Sequence, residues 1–126
     1  MQPYLAIPLL SAMGLASFGG TCLLMAPELR ANRTCGTLLL AAAWWAGCEV
    51  LWNTSSEVST ALFLQRLAAP GFVFLAPLAT RLVHEVAEIP PRSLARLLPA
   101  AFTLGTLSLV VAWFSPWIIA GMVRTT

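Results

Sequence analysis

The chain has no lysine and no aspartate: all seven basic residues are arginine and all five acids are glutamate. That usage reads as the codon bias of a GC-rich genome rather than as chemistry. Charge of any sign is scarce, at 10% of the 126 residues, against roughly a quarter in soluble domains. The formal net charge of +2 is small and scattered, which excludes a nucleic-acid footprint. A single histidine excludes bis-histidine haem ligation within one chain. Cys22, Cys35 and Cys48 are odd in number and lack C-x-x-C spacing. They read as small packing residues, not as a disulfide framework or a metal cluster. No phosphate loop, nucleophile elbow, H-E-x-x-H or Ser/His/Asp set occurs, so nothing argues for an enzyme, a metal centre or a cofactor.

What fills the chain instead is apolar sequence, 59% of it, with a mean hydropathy of +0.82. Four runs, Tyr4–Ala26, Thr34–Trp52, Ala61–Val83 and Leu97–Val123, are broken by three short polar gaps. At about 1.5 Å per helical residue, each run can cross a hydrocarbon core of roughly 30 Å. The expectation is an all-α integral membrane bundle, with residues 1–126 forming one transmembrane domain of four helices.

Orientation follows from the arginines. Arg30 and Arg33 lie in the first gap and Arg92 and Arg96 in the third, with Arg81 just before it. The second gap, Asn53–Thr60, has no basic residue. Short arginine-bearing loops stay in the cytoplasm, which places both termini outside. The first helix lacks a basic leader and an Ala-x-Ala-like cleavage site, so it reads as a retained span. The expected location is a bacterial inner membrane.

Within the helices, small residues at Ala12, Ala16 and Gly20 of the first span, with Gly19 alongside, mark a packing face, because close backbone approach drives association in lipid. The second span carries Trp44 and Trp45 near mid-membrane. Tryptophan favours the headgroup belt, so two at depth must pack on a neighbour or a ligand. In the third span, Pro70, Gly71 and Pro77 predict a bend, since each proline removes a backbone donor and crowds the preceding turn. Pro90 and Pro91 set a stiff turn before a cap at Ser93. Glu49 and Arg66 each lie about one turn below the outer surface, and charge in the membrane is expensive, so they are expected to pair. Arg81 and Glu85, four apart, can pair on one helix face. His84 and Glu88 are too few for a closed zinc site.

Asn32-Arg33, the Trp44-Trp45 to Glu49 stretch, a short polar loop, and then Ala61 to Leu67 with Gln65-Arg66, Gly71 and Pro77 form a pattern. It resembles the seven-helix N-terminal sensor region of bacterial histidine kinases and related signalling proteins. There a tryptophan in the second helix precedes a polar outer end, and an aromatic-x-x-Arg-Leu element opens the third. The clearest match covers Asn32 to Glu88. The resemblance implies a membrane-embedded input domain whose seventh helix leads to a cytoplasmic output module. Trp44, Glu49, Arg66 and Gly71 would be its motif positions. Four of seven helices are present, so the chain is either a piece of a longer protein or a shortened relative.

Two functions follow as expectations. One is a non-catalytic sensory input domain. The other is a small accessory subunit packed against a larger energy-converting or transport complex. The expected partners are the lipid bilayer and other membrane helices, whether from the same protein, a second copy or a complex. A small multidrug-type transporter is disfavoured, because its membrane glutamate belongs in the first helix and none is there.

Overall fold

The computed structural model describes residues 3–88, 92 and 94–114. A single 3-10 turn, Pro3–Leu5, leads into α1, Ala6–Met25. Then follow α2, Arg30–Thr54, α3, Val58–Val73, α4, Leu75–Val86, and α5, Leu94–Phe114. Among the described residues there is no strand. Four helical stretches are long and apolar enough to cross a membrane: Pro3–Met25, Arg30–Thr54, Val58–Val86 and Ala95–Phe114. The described residues are therefore helical, and their four long apolar helices are candidate spans of a multi-pass membrane protein.

α2 outruns its hydropathic run: it begins at Arg30, four residues before the apolar run, and ends past it at Thr54. Arg30, Ala31 and Arg33 are good helix formers, and the Asn53 and Thr54 side chains donate to the Glu49 and Val50 carbonyls at 2.9 and 3.0 Å, so the helix extends without any hydropathic signal. The first connection shrinks to a turn closed by the Leu29 amide donating to the Ala26 carbonyl at 3.2 Å. The second connection is only Ser55 to Glu57. Pro90, Pro91, Ser93 and the chain beyond Phe114 lie outside the described residues, so the proline turn, the Ser93 cap and the outer end of the fourth span do too.

α2 is the central element. It packs along α1 on one side and along α3 and α4 on the other, while α5 lies against α3 and α4. Burial agrees: 28% of the second span is buried inside the protein, against 6% of the last. Two aromatic contacts seat α5. Phe63 meets Trp113 edge-on with ring centroids 6.2 Å apart, and Phe74 stacks on Phe102 at 5.8 Å. These pairs run in opposite senses along the chain, as antiparallel neighbours require.

Between α1 and α2 the contact line differs from the small-residue face expected of the first span. Gly19 is buried, whereas Ala16 is exposed and a Cβ on Gly20 would meet nothing within 4 Å. The buried side of α1 follows Ala12, Leu15, Gly19 and Cys22, spaced alternately three and four. That spacing tracks a neighbour wound at a shallow crossing angle, while strict four-residue spacing drifts off it.

The third span is broken, and the break sits at Phe74. α3 runs through Pro70 without interruption; the ladder stops before Pro77, which has no amide to offer the Val73 carbonyl. The Phe74 amide still bonds back to the Pro70 carbonyl at 3.3 Å, and the Leu78 amide resumes the pattern on Phe74 at 3.1 Å.

Candidate functional site

The site is assembled around one close approach. Gly71 on α3 lies so near α2 that a Cβ there would stand 2.6 Å from the Ala41 carbonyl oxygen and 3.1 Å from Trp45 Cβ. Only glycine permits that approach at this position. Adjacent residues on a helix point about 100° apart, so Trp44 and Trp45 take different directions. Trp45 packs at the α2–α3 contact and meets Phe72, with ring centroids 5.8 Å apart. Trp44, half exposed, donates its indole N–H to the Leu67 carbonyl at 2.8 Å. In lipid, where water is absent, that bond satisfies the indole donor and ties α2 to α3 one turn before Pro70 and Gly71.

Beside this tie lies an open groove of about 520 Å³. Its walls are Trp44 and Ala41 from α2, Leu67, Pro70 and Gly71 from α3, the hinge residue Phe74, and Phe102 from α5. Thr37 also reaches it, but its hydroxyl is committed to the Arg33 carbonyl at 2.8 Å. Among the described residues, no titratable side chain lines the groove. Its chemical capacity is to hold an apolar body, such as an acyl chain, a hydrophobic small molecule or a neighbouring helix. A smaller groove of about 430 Å³ lies between α4 and α5, lined by Pro77, Thr80, His84 and Leu98 among others. His84 Nδ1 stands 3.0 Å from the Thr80 carbonyl of its own helix.

Of the seven residues singled out from sequence, Trp44, Pro70 and Gly71 line the larger groove, and Trp45 backs it. Pro77 is buried and lines the second groove. Glu49 and Arg66 are half-buried and belong to neither. The pair expected between them is not made. Among the described residues the one ion pair is Arg81 to Glu85, at 2.9 Å, and Arg66 Nε has no hydrogen-bond partner. Arg66 precedes Gly71 by five residues, which turns it about 140° away from the face that meets α2. Similar depth was legible from the sequence; a shared face was not.

Two further clusters went unread in the sequence. Thr34, buried to 5% exposure, lies beside Glu85, so α2 and α4 meet through polar groups at this end. The sulfurs of Cys22 and Cys35 come to 4.0 Å across the α1–α2 interface. Phe74 and Phe102 were missed as site residues because nothing local marks a hinge aromatic; Pro77 three residues on was the available signal. No family model, curated protein or solved structure matches this chain.

Proposed function

We propose that the chain is a non-catalytic sensory input module of a histidine-kinase-type signalling protein in a bacterial inner membrane, with its N-terminus outside. The observation that carries this reading is the apolar groove built against the break at Phe74. An apolar body in the groove would touch α2, α3, the hinge residue and α5 together. Its binding free energy would then differ between two angles of the broken span, which is what a ligand needs in order to shift a conformational equilibrium. The second reading, an accessory subunit of a larger membrane complex, draws on the sparse burial of α5, whose exposed side offers an apolar face to further helices.

Native mass spectrometry of material extracted from its own membranes in mild detergent separates the two. The sensor reading expects the chain joined to, or held with, a kinase output module. It also expects Ala41→Phe, which fills the groove, to change signalling output while insertion is unaltered. Stoichiometric recovery with an energy-converting or transport assembly, and output indifferent to groove filling, would establish the accessory reading instead.

A further inference from the structure

The tightest contact between α1 and α2 lies away from the groove. A Cβ on Gly36 would stand 2.6 Å from Leu23 Cγ and 2.9 Å from the Gly19 carbonyl oxygen, so the two backbones nearly touch. Cys35 directly precedes Gly36, and Cys22 follows Gly19 by about one turn. The close approach therefore carries the two thiols together, with Sγ to Sγ at 4.0 Å. Both are free and half-buried, while Cys48 is buried further along α2, about 20 Å away at ~1.5 Å per residue.

The separation discriminates between uses of a thiol pair. A disulfide holds its sulfurs at about 2.05 Å, so these two would have to close by about 2 Å. Two metal–thiolate bonds of about 2.3 Å span about 4.6 Å in the linear arrangement of a two-coordinate ion. The pair, at 4.0 Å, has to open by only about 0.6 Å to reach that span. Among the described residues no group of three or more His, Cys, Asp or Glu is placed to hold a metal ion, so a closed four-ligand zinc site is not built. A thiolate pair without hard ligands selects a soft cation.

We propose that Cys22 and Cys35 are the two ligands of a soft monovalent cation of the Cu(I) class. On binding, each S–H bond is exchanged for a sulfur–metal bond, two protons leave to water, and no electron moves. The bis-thiolate complex carries one negative charge. Arg30 and Arg33, in the first turn of α2, bring positive charge to the same end of the α1–α2 pair. The bound ion would clamp α1 to α2 independently of the groove.

The test titrates Cu(I) into the purified chain in lipid nanodiscs, anaerobically, against a chromogenic Cu(I) chelator. A single equivalent should be withdrawn from the chelator. Cys22→Ser and Cys35→Ser should each abolish that equivalent, and Cys48→Ser should retain it. X-ray absorption of the unsubstituted, loaded chain should show a first shell of two sulfurs, a readout that does not depend on any variant folding. Binding that survives loss of Cys22 or Cys35, or a first shell of nitrogen or oxygen, would overturn the assignment. So would isolation from native membranes of a Cys22–Cys35 disulfide, seen as a mass lower by two hydrogens before reduction.

Discussion

At the scale of single residues, the protein separates glycines that differ only in what lies opposite them. A Cβ on Gly71 would collide with the Ala41 carbonyl, a backbone atom that cannot rotate away, whereas Gly20 faces open space. Gly71→Ala should therefore lower stability by about 1–3 kcal/mol, the usual range for overpacking. Gly20→Ala should be neutral or stabilising, by up to about 1 kcal/mol, because alanine is the better helix former. Thermal unfolding of both variants in one detergent reads the difference, and equal losses would show that the α2–α3 contact is looser than described. Glu49 and Arg66 make the opposite kind of point. The sequence places them at similar depth, yet among the described residues no ion pair joins them. In a double-mutant cycle with Glu49→Ala and Arg66→Ala the two changes should add, with coupling inside the ~0.5 kcal/mol expected of independent sites. A coupling of a few kcal/mol would mean that the charges meet in the membrane after all.

At the scale of elements, the two prolines of the third span have different consequences. Pro70 is carried within α3, and Pro77 accompanies the interruption at Phe74. The difference matters because Phe74 is both the hinge and a wall of the groove. Pro77→Ala restores a donor for the Val73 carbonyl and should join α3 and α4 into one helix, shifting Phe74 and narrowing the groove. Pro70→Ala should leave the break in place. Spin-label distances between the first turn of α3 and the last turn of α4 should lengthen for the first variant and stay constant for the second. If both variants shift the distance equally, the break belongs to Pro70 as well.

For the whole molecule, four spans with two arginine-bearing connections on one side predict the Asn53–Thr60 loop outside and the other two inside. Single cysteines introduced as Ser56→Cys and Arg92→Cys, on a background without the native cysteines, test this in intact cells. A membrane-impermeant reagent should label the first and spare the second; the reverse pattern would invert the protein and move the Cys22–Cys35 pair to the outer side.

The sequence by itself determined the all-helical class and the number of helices long and apolar enough to span a membrane, because helix length and apolarity are local properties summed along the chain. It also contained the Arg81–Glu85 pair, whose partners share one helix and are placed by its period alone. Trp44, Pro70 and Gly71 were legible as unusual residues for their depth, and all three reached the groove. Tertiary structure decided which faces meet. The line through Gly19, the lack of an ion pair between Glu49 and Arg66 and the meeting of Cys22 with Cys35 all depend on how helices are rotated and crossed. That rotation is set by contacts between elements distant in sequence, and in a span apolar all round the hydropathic pattern does not mark which side faces protein.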